Sequence, residues 1–184
     1  MEIVDRGLSA RRVQERLDRT DDARVRAMLT TVREHLQAEA DVDVDRLVST
    51  LSDQPNYHLW NAGRDIGPDN FDEVLAYYQD LVAVKRHILE FDIDRIVVDH
   101  DTVVTEGWIR ALNLGSVARA RGWVVDDDDA TYLVTQRVVI FWPFDAEGRM
   151  TGEDGYANFD PQGARKLAHD ELPAAYVELF APTS

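Results

Sequence analysis

No cysteine occurs among the 184 residues, which excludes disulfides, thiolate nucleophiles and cysteine-ligated metals and suits a reducing cytoplasm. Long apolar runs are missing as well. No stretch reaches membrane-spanning length, and Met1 to Arg12 carries no apolar signal core. Basic residues are few: 20 Lys and Arg stand against 35 Asp and Glu, a formal net charge of -15. Such a field repels phosphate backbones and anionic membranes, so neither nucleic acid nor membrane is expected as a partner. There is no Gly-rich phosphate cradle, no Ser nucleophile elbow and no internal repeat, and no nucleotide cofactor is indicated. What is present is the composition of an ordinary globular protein, 45% hydrophobic and 30% charged, of a length that suits one domain. The expectation is a soluble, cytoplasmic protein.

Helical composition runs from Ser9 to about Ala40, as one long helix or two in tandem, and Val25, Met28, Leu29, Val32 and Leu36 form a stripe that should face a core. A short helix over 45–51 and the breaker Ser52-Asp53-Gln54-Pro55 lead to a strand over 56–60. Asp69 or Asn70 can cap a helix that continues through Phe71, Val74, Leu75, Tyr78 and Leu81 to about Val84. Alternation then takes over. In residues 86–98, His87, Leu89, Phe91 and Ile93 share the inward parity, while Glu90, Asp92 and Asp94 share a solvated one. Asp99-His100-Asp101 turns the chain into a partner strand over 102–114. Residues 115–130, with the acidic run 126–129, read as a long loop or lid-like insertion. Strands over 131–144 and 149–159 flank the turn Asp145-Ala146-Glu147-Gly148, and a terminal helix is expected from Asp160 or Gln162, broken or restarted by Pro173.

Helices followed by antiparallel strands make an α+β domain with helices on one face of a curved sheet. The segment Asp45 to Trp60, the helix Phe71 to Val84, the hairpin Ile96-Val97-Val98-Asp99-His100-Asp101-Thr102-Val103-Val104 and the ending Phe144-Asp145-Ala146-Glu147-Gly148-Arg149-Met150 together resemble the SnoaL-like branch of the nuclear transport factor 2-like superfamily. That resemblance implies a cone-shaped, curved mixed or antiparallel sheet with helices packed over a deep apolar pocket, and a homodimer formed through the outer sheet face. It divides the chain into an N-terminal helical extension, residues 1–22, and a cone domain, residues 23–184. Members of the superfamily include polyketide cyclases, ketosteroid isomerases, dehydratases and epoxide hydrolases, but also binding and scaffold proteins, so function has to come from the site.

Within the first helical stretch His35 and Glu39 are one turn apart. At about 100° per residue Glu39 falls roughly 20° from Val32 and His35 roughly 60°, so both polar groups lie in the apolar stripe. A carboxylate there needs partners, loses its charge, or faces a wet pocket. The resemblance adds His87, because dehydratase-like members use a histidine at the corresponding strand start with a carboxylate from the first helix. His58 lies in the first strand. If His58 and Trp60 point inward, a base stands beside an aromatic wall; if Tyr57 and Leu59 do, the tyrosine is the polar contact. Tyr132, Gln136, Trp142 and Phe144 share a parity that can line the pocket, and Glu153 can add a carboxylate from the last strand. Gly107, Ile109 and Gly155 stand where epoxide-hydrolase members carry charged residues, which disfavours that chemistry. Glu106, Trp108 and Arg110 belong to the opposite face.

These residues point to a cofactor-independent lyase, isomerase or cyclase acting on a small apolar, carbonyl-bearing or polycyclic substrate. Its expected catalytic residues are His87, His58, Glu39 and His35, and its binding residues are Tyr57, Trp60, Tyr132, Trp142 and Glu153. A non-catalytic ligand-binding or dimerisation module of the same fold is the alternative. A second is a metal enzyme with His35, Glu39, His58 and His87 as ligands, although the helix lacks the second histidine of His-Glu-x-x-His. The run 126–129 lacks the alternating ligands and Gly of a calcium loop.

Overall fold

Asp22 accepts a hydrogen bond from the Val25 amide at 2.9 Å and so starts a helix at the point where the preceding one has ended. The first helical stretch is therefore two helices in the computed structural model, which describes residues 3–61 and 63–180. They are α1 (Leu8–Leu17) and α2 (Ala23–Asp41), followed by the short α3 (Val44–Val48). Ala10, Val13 and Leu17 of α1 are buried in the same core as Met28, Leu29, Val32 and Leu36 of α2. Asn70 caps α4 (Phe71–Ala83) through the Glu73 amide. The Arg86 amide bonds back to the Leu81 carbonyl at 2.8 Å, while Lys85 takes a left-handed conformation and closes the helix end.

Seven strands form one sheet: β1 (His58–Asn61), β2 (Arg64–Asp65), β3 (Leu89–Val98), β4 (Thr102–Leu114), β5 (Thr131–Pro143), β6 (Asp154–Asn158) and β7 (Ala164–Lys166). Its order is β2-β1-β6-β5-β4-β3, with β7 sharing the far edge of β5 with β6. Among the described strands only β1 and β6 pair in parallel, so of the mixed and antiparallel alternatives the sheet is mixed. Strands β4 and β5 pair along their whole length, and β3 bulges between Ile93 and Arg95. Helix α1 covers the free edge of β3, where the Phe91 amide donates to Ser9 Oγ at 3.0 Å. Glu90, expected on a solvated face, is buried as a result, bonded to the Asp5 amide and paired with Arg110.

Two other expectations are corrected. Residues 115–130 are not a lid: they form α5 (Gly115–Ala120), and Ala118, Trp123 and Val125 sink into a core against Tyr132 and Val134. The acidic run next to them is held by Lys166, which pairs with Asp127 at 2.8 Å. No helix begins at Asp160 or Gln162. The chain there forms β7 and a single 3-10 turn, and α6 (Ala174–Glu178) begins only after Pro173. Tyr176, Leu167, Leu112, Leu133 and Ile88 make a second small core on the outer side of the sheet. Among the described residues no helix is long and apolar enough to cross a membrane.

One glycine fixes where β6 begins. A Cβ on Gly152 would lie 1.7 Å from the Asn56 carbonyl oxygen, so only hydrogen allows this approach. The approach seats the His58 amide on the Glu153 carbonyl at 2.8 Å and sets Glu153 beside Tyr57. Gly152→Ala is expected to cost about 2 kcal/mol or more, through forced separation of these two segments. Urea unfolding measures it, and a variant of wild-type stability would show that the approach is not needed.

Candidate active site

Glu153, at the entry to β6, meets side chains from two helices. Tyr78 of α4 donates its hydroxyl proton to Glu153 Oε1 at 2.8 Å, and His35 Nε2 of α2 lies 3.1 Å from the same oxygen. His35 Nε2 is also 3.0 Å from the Tyr78 hydroxyl. Tyr57 OH lies 3.2 Å from Tyr78 OH, and since the Tyr78 proton goes to Glu153, Tyr57 is the donor in that pair. The orientation of His35 follows from its other nitrogen. Thr50 gives its only hydroxyl proton to the Leu47 carbonyl at 2.6 Å, so Thr50 Oγ1 accepts at 2.8 Å from His35 Nδ1–H. With Nδ1 protonated and the Tyr78 proton spent on Glu153, the hydrogen bond open to Nε2 is as a donor to Glu153 Oε1, in the imidazolium form.

The cluster lies against an apolar cavity of about 200 Å³ between the helices and the inner face of the sheet. Glu153 and Tyr78 line it, and Glu153 Oε2 has no hydrogen-bond partner among the described residues. Glu39 lines it from α2, one turn beyond His35, with Leu36 beside it. Burial, reinforced by the negative charge of Glu153, raises the Glu39 carboxyl to about 7, against the opposing influence of His35, Arg6 and Arg86. Burial, and then Glu153, also push the Tyr57 and Tyr78 hydroxyls well above the ordinary tyrosine value, so both keep their protons as donors. Trp142 closes one wall. It is fully buried, donates Nε1–H to Thr105 Oγ1 at 2.9 Å, and meets the His35 ring edge-on with centroids 5.8 Å apart.

The structure thus brings His35, Glu39, Tyr57, Trp142 and Glu153 together and leaves others elsewhere. Both core-facing polar residues of α2 do lie on its inner side, and His35 is completely buried. Of the two parities weighed for β1, Leu59 faces the cavity. His58 points outward instead, with Nδ1 2.6 Å from Asp65 and a side chain 43% exposed. Trp60 reaches only the rim, 39% exposed and stacked on Tyr156. His87 is not on β3, which starts at Leu89, but in the turn after α4, so strand parity does not govern it. It faces away from the main cavity, toward Ala38, Val42 and Leu47. Burial, and then the charge of Arg6, hold its pKa below the ordinary histidine value. Tyr132 turns its hydroxyl to Asp126 and packs in the Trp123 cluster, outside the cavity lining. Phe144 is core, Gln136 lines the cavity, and Trp108 is exposed on the outer face above Arg137. Among the described residues no three His, Asp or Glu side chains are placed to hold a metal ion, so the four residues weighed as ligands do not form a centre.

Tyr78 was missed as a polar group because its position in the apolar stripe of α4 reads as packing alone. A tyrosine in such a stripe must still find a partner for its hydroxyl, and that requirement was the available signal. Arg86 and Arg121, which also line the cavity, gave no sequence signal.

No family model matches the sequence, and no curated protein matches it. Solved structures do. A SnoaL-like protein from Shewanella putrefaciens is 11% identical with a TM-score of 0.61, the match covering 79% of this chain and 87% of that one. The epoxide hydrolase/cyclase-like enzyme SalBIII, described in pyran ring formation in the polyether salinomycin, is 12% identical with a TM-score of 0.54, over 72% of this chain and 91% of that one. An NTF2-like protein of unknown function from Burkholderia pseudomallei is 17% identical with a TM-score of 0.55, over 73% and 92%. With its curved mixed sheet and its helices closed over an apolar cavity, the chain has the fold of the nuclear transport factor 2-like superfamily, SnoaL-like proteins among them.

Proposed function

We propose that the protein is a cofactor-independent acid–base enzyme of lyase, isomerase or cyclase type that moves a proton on a small, carbonyl-bearing substrate. The observation that carries this reading is the pair of carboxyl groups on one apolar cavity, Glu153 and Glu39, held in different environments. Glu153 is the base. Oε1 is occupied by Tyr78 and His35, which leaves Oε2 for a substrate proton. Glu39, with its carboxyl raised to about 7, is half protonated at neutral pH and is the acid that delivers a proton to the developing oxyanion or leaving group. His35 acts through Glu153 and is a positioning residue. His58 and His87, which do not reach the cavity, have no part in this scheme. We also propose that the exposed Trp108, Phe141 and Tyr156 on the outer sheet face meet a second copy of the chain.

The ring opening of 5-nitrobenzisoxazole needs one base, which removes the C3 proton as the N–O bond breaks, and its size suits the cavity. The protein is expected to accelerate it beyond free carboxylate. Glu153→Gln is expected to lower the rate about 100-fold or more, with circular dichroism unchanged. Wild-type protein no faster than acetate, or a fully active Glu153→Gln, would end the proposal.

The raised carboxyl of Glu39 also bears on stability. Its folded-state value lies above the ordinary 4.5, so the protonated form favours the folded state, and this contribution is present below about pH 4.5 and lost as pH rises through about 7. Glu39→Gln should remove that loss. Allowing for cavity water, the gain over wild type above pH 8 is on the order of 2 kcal/mol, read from urea unfolding at several pH values. Parallel pH profiles for the two proteins would show that Glu39 titrates normally.

A further inference from the structure

Arg86 and Arg121 both line the cavity, and neither guanidinium has a hydrogen bond or ion pair among the described residues. In a chain with 35 acidic side chains against 20 basic ones, this is unexpected. Most other arginines are matched, as Arg12 is to Asp92, Arg46 to Glu34 and Asp41, Arg137 to Glu106 and Arg149 to Asp53. The backbone fixes where the two stand. Arg86 is held by its amide on the Leu81 carbonyl at the end of α4, and Arg121 ends α5 with its amide on the Val117 and Ala118 carbonyls. Tyr77 lies between their influences and lines the same cavity. Glu39 is the acid that senses Arg86, yet it makes no ion pair with it and is half neutral at pH 7. Two arginines therefore line one cavity with no ion pair among the described residues, Arg86 half-buried and Arg121 exposed, and Asp80 acts on Arg121 without pairing with it.

We infer that Arg86 and Arg121 receive the carboxylate of the substrate, which makes that substrate an apolar carboxylic acid whose reacting carbonyl lies toward Glu153. This rests on the cavity being the active site. The charge is read by forked, charge-assisted hydrogen bonds at the arginine end. The body of the substrate is read by shape against Leu89, Phe91, Ile109, Val138 and Trp142. A volume of about 200 Å³ suits a body of one or two rings.

The probes are 2-naphthoate and 2-naphthamide, equal in shape and different in charge, titrated into the full chain by calorimetry. The anion is expected to bind about tenfold tighter than the amide. Arg86→Gln with Arg121→Gln should abolish the preference and leave amide affinity within about twofold, which also reports that the cavity is intact. Arg121→Gln alone, at an exposed position that does not threaten folding, should cut the preference about threefold. Equal affinity for the two probes in wild-type protein, a preference that survives Arg121→Gln, or no binding of either probe at millimolar concentration would each overturn the inference. Failure of the acid–base reading looks different: the anion preference would remain with the arginines while Glu153→Gln left the ring-opening rate unchanged.

Discussion

A carboxylate held at the inner wall of an apolar cavity is the constraint around which this molecule is arranged. Glu153 can sit there because His35 and Tyr78 both address Oε1, and each is fixed in turn. Thr50 sets the His35 tautomer, Tyr57 supports Tyr78, and the close approach at Gly152 brings Glu153 to them. Removing any one member leaves a buried polar group without its partner, which costs more than the same bond contributes when intact. Four separate segments therefore have to arrive together, and the core of α2, α4 and the inner face of the sheet provides the rigidity that keeps them there.

Charge is distributed so that the cavity differs from the surface. Outside, acidic residues dominate and arginines are consumed in ion pairs that water screens and that individually contribute little. Inside, Glu39 is destabilised as an anion by burial and by Glu153, while Arg86 and Arg121 face the same space without partners. An apolar wall that carries two carboxyl groups and two arginines has polar groups enough to orient a bound molecule. The fold itself does not dictate this arrangement, since binding and catalytic proteins share it.

Much of the framework could be read along the chain. The stripe of α2 placed His35 and Glu39 inward, and Asn70 marked the start of α4. The 102–114 strand was legible because turn signals bounded a clear alternation. Reading failed where tertiary packing overrode local pattern. Residues 115–130 look polar and loose, but Trp123 and Val125 have a core to enter and the aspartates have Lys166 and Tyr132 to hold them. Glu90 has the parity of a solvated residue, yet α1 and the residues before it cover that edge of the sheet. His87 has an inward parity only if the strand includes it, but β3 begins two residues later and the ring lies with Ala38, Val42 and Leu47, outside the main cavity.

The sequence by itself determined the class of the fold, the exclusion of thiol and disulfide chemistry, and the presence of two polar residues on a core-facing helical stripe. Those follow from composition and from periods of two and 3.6, which are local properties. Which polar residues share a cavity was decided only by tertiary structure. The Tyr78–Glu153 and His35–Glu153 contacts link positions 75 or more residues apart, and the place of Arg86 and Arg121 on one cavity depends on where two helices end in space. No local pattern encodes such distances, because they are set by how the sheet curves and how the helices close over it.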